Sequence, residues 1–470
     1  MNEVTKDAKG SSDVVIGLEI HIQLKSQSKL FCCCPASYRD IAPNTNVCPT
    51  CTGQPGAKPF GLNKTALENL LKIALALNCK INDRCIIQRK HYFYPDLPTG
   101  FQRTSKPIGT EGKLGNIRIR EVHIEEDPGR YELRAGTVDY NRAGVPLIEI
   151  VTEPDITSPA EARSFLEELT AILNYLGVAR DEPGSMRVDA NISISGGTRS
   201  EVKNINSFKG VFTALSYEIV RQRNILRRGG RVERETRHFD EVSGTTVSMR
   251  KKETEEDYRY MPDPDVPPLS IDIALVKRLA AAMPELPRAK AERFVRQYNI
   301  RSEDAWIIVS EIELADMFEE MVKFCEPKNL AMWIRGPLKK QLNYRDILFK
   351  QSGLKLKDLI ELYDDFSKGR ITDDGMEKAL VTLLDKHISY ASIRDEILVI
   401  TDMLEIEGAI ESILAQPQSI AAIEDYKKGN EKALNFIIGK IMKESKGRMD
   451  SKTIREIILN KIEKQEKKNV

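Results

Sequence analysis

No apolar run in these 470 residues approaches the roughly 20 consecutive positions that a bilayer-spanning helix requires. The first 13 residues, Met1 to Asp13, are polar and charged. Together these absences predict a cytoplasmic protein with no membrane attachment. A dominant charge is also missing. The 71 Lys and Arg against 70 Asp and Glu leave a net of +1, which excludes a globally basic nucleic-acid binder but permits a local basic region. Eight cysteines in so long a chain do not suggest a disulfide framework. The length itself accommodates two or three domains and a sizeable core.

Charge is distributed unevenly. Tyr426 to Val470 holds 13 Lys or Arg against 6 Asp or Glu, a net of +7, so the rest of the chain is acidic. That end is the natural contact for a polyanion, although exposed charge runs often only solvate a helical surface. Four cysteines, Cys32, Cys34, Cys48 and Cys51, form a C-x-C followed by C-P-T-C, with Gly53, Pro55 and Gly56 close behind. Thiolates so spaced can close a tetrahedron around Zn²⁺ and cross-link a loop too irregular to fold by itself. Four thiolates leave no open position, so such a zinc is structural. Cys33 leaves the ligand register ambiguous, and reduced, unligated thiols are the alternative.

In Gly17-Leu18-Glu19-Ile20-His21-Ile22-Gln23-Leu24 apolar and polar residues alternate strictly, placing Glu19, His21 and Gln23 on one strand face. A wet outer face would explain this segment alone, but acids recur on further strand-like segments. Ile117 to Asp127 ends in Glu125, Glu126 and Asp127 just before Pro128-Gly129. Adjacent side chains point to opposite faces, so Glu125 and Glu126 cannot serve one metal from a regular strand unless a bulge or the coming turn re-aims one. Val145 to Pro154 embeds Glu149 in an apolar run, where a charge needs a partner. Arg187 to Ile194 sets Arg187, Asp189, Asn191 and Ser193 on one face. Between these strands, Ser158-Pro159-Ala160-Glu161 reads as a capped helix start that runs to Gly177, and a second helix is expected from about Ser207 to Arg228. Alternating strands broken by a few helices predict an α+β fold with an antiparallel sheet. The segment Tyr258 to Leu269 is too rich in proline for a helix and reads as a linker or a rigid loop at the site. Beyond Pro287 the apolar spacing is helical almost throughout, with a last helix starting near Asp450-Ser451.

Six blocks in order resemble the motifs of the B-subunit family of tRNA-dependent amidotransferases: Gly17 to Leu24, His91 to Pro98, His123 to Gly129, Pro146 to Asp155, Val202 to Phe208 and Asp257 to Tyr260. These glutaminase-coupled enzymes convert misacylated Asp-tRNA(Asn) or Glu-tRNA(Gln) to the amide. The resemblance spans essentially the whole chain. It implies a cradle-shaped, glutamine-synthetase-like catalytic domain over 1–292, a helical domain over 293–407 and a helical tail domain over 408–470, with misacylated tRNA contacted by the tail and helical domains. It also implies ATP as substrate, since a carboxylate becomes a useful electrophile once phosphorylated and ammonia can then displace phosphate.

An acid-rich pocket that handles a triphosphate needs Mg²⁺ between its carboxylates and the phosphates. By position in the matching motifs, Glu19, His21, Glu125, Glu126, Glu149 and Asp189 are expected to be the catalytic acids and imidazole that surround the ions. Six groups exceed one Mg²⁺ that keeps its water, so two ions, or one ion with some groups behind its ligands, would fit. Arg187, Asn191, Lys203, Asn204, Arg250 and Arg259 are candidates for phosphate or substrate contact, or equally for salt bridges to the acids. His91, Tyr92 and Tyr94 belong to a motif without an individual role and line the cradle at most. No stretch resembles the Ser-cis-Ser-Lys amidase apparatus, so the resemblance implies that a separate amidase, the A subunit, is joined to this chain by a protected ammonia channel, with a small C subunit as a third member. Three other readings exist. The paralogous E subunit carries an inserted domain for which this chain has no room. A free-standing ligase for small amino acids leaves the basic tail idle, and a non-catalytic zinc-stabilised RNA-binding scaffold leaves Glu149 without a purpose.

Overall fold

The computed structural model describes residues 13–250, 258–400, 403–445 and 448–468. The chain divides into two compact units, Met1–Ala289 and Lys290–Val470. Unit 1 is built on a 12-stranded sheet. Its strands are β1 (Val14–Gln23), β2 (Lys80–Ile81), β3 (Ile87–His91), β4 (Phe101–Ser105), β5 (Gly109–Leu114), β6 (Ile117–Glu126), β7 (Pro146–Thr152), β8 (Met186–Ile194), β9 (Ser200–Ile205), β10 (Glu235–Asp240), β11 (Thr245–Arg250) and β12 (Met261–Pro262).

The order along the sheet is β11-β10-β9-β8-β1-β7-β6-β4-β3-β12, with β5 paired to β6 and β2 paired to β5. Pairing is antiparallel except between β9 and β10, which run parallel. That exception follows from the intervening helix Phe208–Arg227, which carries the chain back to the start of the sheet in the manner of a crossover connection. β1 is therefore central, and its alternation has a physical reason. Ile16, Leu18, Ile20 and Ile22 are at most 1% exposed and pack into the main core, whereas Glu19 and His21 stand on the opposite face.

Four helices contribute to the same core: α1 (Lys64–Ala76), α2 (Pro159–Leu176), α3 (Phe208–Arg227) and, through Leu279, α4 (Ile273–Ala281). α2 begins where Ser158 Oγ accepts from the Glu161 amide at 3.2 Å, with Pro159 in the first turn, and ends at Gly177 in the left-handed conformation, φ 64°. The Glu161 carboxylate reaches back one residue further than a capping box would, to Thr157 N at 2.8 Å. α3 is capped by Ser207, whose Oγ accepts from Gly210 N at 3.0 Å. Between them these helices set Phe165, Leu166, Leu169, Val211, Ala214 and Leu215 against the apolar face of the strands.

The proline-rich segment is not a free linker. Met261 and Pro262 pair with Arg89 and Gln88 at the edge of the sheet, a position where proline's missing N–H is tolerated. Asp263, fully buried, is then held by Arg89 Nε at 3.0 Å and Arg103 Nε at 2.8 Å. Unit 2 is helical among the described residues, and its buried apolar side chains form two clusters, one drawn from residues 291–397 and the other from 400–462. The last helix, Ser451–Lys468, starts where Asp450 Oδ2 accepts from Thr453 N at 2.9 Å. No helix among the described residues is long and apolar enough to cross a membrane.

Candidate active site and cysteine cluster

Three adjacent strands bring acids and imidazoles together by register. His21 of β1 faces Glu149 of β7, and Glu149 faces His123 of β6. Glu125 lies two residues beyond His123 and so on the same face, opposite Leu147 of β7 and Thr104 of β4. As a result His21, Glu125 and Glu149 offer donor atoms that all lie within 4.8 Å of one another. His21 Nε2 is 3.6 Å from Glu149 Oε1. Glu125 and Glu149 line a cleft of about 730 Å³, together with Glu19, Lys90, Glu121, Glu201, Lys203 and Tyr258.

Electrostatics set the two central carboxylates apart. Burial and the neighbouring Glu125 carboxylate push Glu149 up to about 7, against the pull of His21, Lys90 and His123. Burial would raise Glu125 too, but the charges of Lys90 and His21 take it below the usual carboxylate range. Two acids this close resist ionising together unless a cation joins them. Two carboxylates and an imidazole within 4.8 Å of one another are a donor set that a divalent cation fits, and the carboxylate oxygens suit Mg²⁺.

Lys90 was not legible in the sequence. It sits in the polar run Gln88-Arg89-Lys90-His91, which lacks the apolar contrast that reveals a strand face; its only signal is its place just before the His91 to Pro98 block. Its Nζ lies 4.9 Å from the centre of the Tyr258 ring, and the charges of Glu125 and Glu149 overcome its burial to raise its pKa.

The remaining sequence candidates are distributed more widely. Glu126 is not part of this group. β6 stays in register with β7 from Glu121 to Glu126, so the Glu126 side chain turns away from Glu125 and pairs with Arg103 Nη1 at 3.4 Å. Asp189, 9% exposed, accepts from Asn204 N at 2.9 Å and Lys203 Nζ at 3.3 Å. Burial would raise the Asp189 carboxyl, but Lys203, His21 and the Asn204 amide hold it below its ordinary value. Lys203 also faces Glu201 at 3.5 Å, and Glu201 accepts from Thr236 Oγ1 at 3.0 Å, a chain of contacts that the sequence did not suggest. Asn191 donates to Glu19 Oε1 at 2.8 Å. Arg187 pairs with the buried Asp127 at 2.9 Å, a salt-bridge role. Arg259 is exposed, with φ 43°, between Tyr258 and Tyr260. The Arg250 side chain lies outside the described residues, as does Asp257.

Two family models match this architecture, one described as the GatB/GatE catalytic domain over residues 14–277 and one as a GatB domain over residues 316–462. The chain is 49% identical over 449 residues to the B subunit of the aspartyl/glutamyl-tRNA(Asn/Gln) amidotransferase of Methanothermobacter thermautotrophicus, covering 95% of this chain and 99% of that one. The proteins of the same name from Methanosphaera stadtmanae and Methanocaldococcus jannaschii are 46% and 47% identical, covering 96% and 95% of this chain and 100% and 98% of theirs. The chain belongs to the GatB/GatE family.

In this family member the floor of the cleft carries a second imidazole with two acceptors. His123 donates from Nδ1 to the Ser105 carbonyl at 2.9 Å, and its Nε2 faces Glu121 Oε2 at 3.0 Å. Burial would keep the ring neutral, but Glu121, Glu149, the Ser105 carbonyl and Glu125 raise it to about 9. A group whose folded pKa is raised stabilises the fold fully below its unfolded pKa, about 6.5, and loses that contribution as pH rises through the folded value. In metal-free buffer the melting-temperature advantage of the wild type over His123→Gln is therefore expected to be largest near pH 6 and to shrink by pH 10. Parallel curves for the two proteins would contradict this assignment.

The GatB/GatE chain also gathers its four cysteines. The sulfurs of Cys32, Cys34, Cys48 and Cys51 lie within 4.8 Å of one another, with Cys48 and Cys51 3.8 Å apart and Cys51 and Cys34 4.0 Å apart. A tetrahedron with Zn–S bonds of about 2.3 Å has edges near 3.8 Å, so this cluster can hold a metal ion and is compatible with structural zinc. Cys33 is exposed while Cys32 and Cys51 are buried, which resolves the ligand register. Lys29, 1% exposed, donates to Cys51 Sγ at 3.4 Å and to the Tyr140 carbonyl at 3.2 Å. The hydrogen bond from Cys32, the Cys48 backbone and this ammonium together bring the Cys51 thiol down to about 4, despite burial.

Proposed function

We propose that this chain is the transamidating B subunit, which phosphorylates the side-chain carboxylate of misacylated Asp-tRNA(Asn), Glu-tRNA(Gln) or both with ATP, and lets ammonia displace the phosphate. The observation that carries the proposal is the convergence of His21, Glu125 and Glu149 within 4.8 Å on one sheet face beside an open cleft. An aspartyl or glutamyl carboxylate resists attack because amide formation would expel oxide or hydroxide; phosphorylation supplies a leaving group. Glu125, Glu149 and His21 would hold Mg²⁺, with Glu19 and Asp189 around it. Bound there, Mg²⁺ would neutralise the triphosphate against the acids.

The chain's own cations do the rest. Lys90 offsets the negative charge of Glu125 and Glu149. Lys203 and Asn204 keep Asp189 ionised and fixed. Lys106, Arg199 and Arg234 are exposed, line the cleft and pair with no carboxylate among the described residues, which leaves them for phosphate. Arg259 is exposed for the same purpose. In this reading the fold of unit 1 is the cradle of a glutamine-synthetase-like domain. The division 1–292, 293–407 and 408–470 then assigns the two apolar clusters of unit 2 to the helical and tail domains. The B-subunit reading is favoured over the paralogous E-subunit reading because 95% of this chain aligns with a Methanothermobacter relative named as a B subunit.

The reaction needs ammonia near neutral pH, where free ammonia is mostly unreactive ammonium. A channel from a separate amidase, the A subunit, fits that chemistry, with a small C subunit completing a heterotrimer. In the purified complex, amide formation on misacylated tRNA with glutamine is expected to require ATP. Amide formed equally well without ATP would overturn the proposal. The tail, with its net of +7 over Tyr426 to Val470, is assigned to tRNA phosphates. Its removal is expected to flatten the salt dependence of tRNA binding by roughly 0.7 to 0.9 log units for each phosphate no longer engaged, and to raise KM for tRNA. Equal salt slopes for full-length and truncated protein would assign the lysines to solubility instead.

A further inference from the structure

Aromatic residues make up only 6% of the chain, yet five of them gather in one place, and two of these, Tyr258 and Tyr260, line the cleft. Two distant segments supply them. His91 to Tyr94 follows β3, and Tyr258 to Tyr260 leads into β12, which pairs with β3 and so sets the two side by side. His91 Nδ1 meets the Arg259 carbonyl at 3.1 Å, fastening them together. The rings form a continuous edge-to-face ladder: Tyr94 to Tyr92 at 6.1 Å, Tyr92 to Tyr258 at 6.1 Å, and Tyr258 to Tyr260 at 6.2 Å between centroids.

The ladder is open to solvent. Tyr94 is 50% exposed, Tyr260 42%, and the adjoining Phe93 81%. Phe93 nevertheless packs on backbone, because its ring edge lies 3.3 Å from where a methyl group on Gly100 would be. Aromatic surface left exposed and ordered at one rim marks a binding surface rather than a packing defect. Tyr92, in the middle of the ladder, reaches the acids through one side chain. Tyr92 OH donates to Gln102 Oε1 at 3.1 Å, and Gln102 Nε2 donates to Glu125 Oε2 at 3.0 Å.

We propose that this ladder, with Phe93 at its rim, is the platform on which the unpaired nucleobases at the 3′ end of tRNA stack, holding the ester-linked amino acid at Glu125 and Glu149. The inference rests on the reading of the cleft as a transamidation site. That chemistry requires the reacting carboxylate to lie within one aminoacyl length of the last base, and Tyr92, within the ladder, stands one side chain from Glu125. Stacked aromatics beside exposed cations are the recognition surface of single-stranded nucleic acid, and Lys106, Arg199 and Arg234 supply those cations in the same cleft. The open rim distinguishes this surface from the enclosed slot that the adenine of ATP would need to gain affinity.

The test compares intact deacylated tRNA with the same tRNA trimmed of its unpaired 3′ nucleotides, binding to the full-length protein in its heterotrimeric complex. Phe93→Ala and Tyr260→Ala are exposed positions whose substitution leaves the core untouched. Each is expected to weaken binding of intact tRNA on the order of 10-fold while leaving trimmed tRNA unaffected, with Phe93→Trp restoring affinity. In turnover the effect is expected on KM for misacylated tRNA rather than on KM for ATP. Loss of affinity equal for both tRNAs, or no loss at all, would overturn the platform. A rise in KM for ATP instead would assign the ladder to the adenine. Because the binding arm needs neither ATP nor amide formation, its failure beside a working wild-type reaction rejects the platform alone. A wild type unable to form the amide would reject the proposed function.

Discussion

Replacing Glu149 or Glu125 by Gln is expected to abolish both ATP-dependent activation of the carboxylate and amide formation, while glutamine hydrolysis by the partner amidase survives. The two positions share a site with His21 in which every donor atom lies within 4.8 Å of the others. Gln keeps the shape and removes one negative charge, so the proposed cation would lose both a ligand and its electrostatic reason to bind. Removing a group one step behind a metal ligand already costs about 10- to 100-fold in affinity or activity, so loss of a ligand itself is expected to exceed about 100-fold. Glu126→Gln is a built-in comparison. Its carboxylate faces Arg103, away from the cluster, so its effect is expected on stability and not on magnesium affinity. Equal loss of magnesium affinity in Glu126→Gln and Glu149→Gln would show that the register-based grouping is wrong.

The second large effect concerns the cysteine cluster. Freshly purified, reduced protein is expected to contain about one zinc per chain by elemental analysis, and Cys48→Ser or Cys51→Ser is expected to lose it. Structural zinc sites in small peptides contribute apparent binding energies of about 10 to 16 kcal/mol, which is then folding energy for the loop they close. The variants should therefore melt at lower temperature, and a chelator should reproduce the shift in the wild type. Cys33→Ser is expected to keep both metal and stability, since Cys33 is exposed and outside the cluster. Absence of zinc from the reduced wild type would leave four ordinary thiols.

Local signals were readable from the chain alone. Strict alternation through Gly17 to Leu24 gave the polar face of β1, and Ser158 with Gly177 gave the ends of α2, because caps and strand faces depend on neighbours a few residues away. Which groups meet depends instead on register between strands, with Glu125 and Glu149 24 residues apart in sequence and His21 128 residues from Glu149, and no local pattern carries that register. His21 reaches Glu149 only because β1 pairs with β7 in one particular alignment. Parity sets Glu125 and Glu126 on opposite faces unless a bulge or turn re-aims one, so the sequence keeps both as candidates. Choosing between them required knowing that β6 stays in register from Glu121 to Glu126 and that Arg103 waits on the other side. Asp189 reads as a ligand from its strand face, yet Lys203 and the Asn204 amide occupy its oxygens. Lys90 was invisible for the opposite reason: its strand is polar after Ile87, and its importance comes from the tyrosines and glutamates that other segments bring to it.

The most direct measurement of the central claim is transfer of label from γ-³²P-ATP to misacylated tRNA by the purified complex with magnesium present and every ammonia donor withheld. Without ammonia the activated carboxylate cannot proceed to the amide, so a labelled acyl phosphate on the tRNA-bound Asp or Glu is expected to accumulate. It should be absent with correctly charged tRNA and in Glu149→Gln, and it should disappear when ammonia is added. Amide formation at a normal rate with no phosphoryl transfer to the substrate would contradict the account.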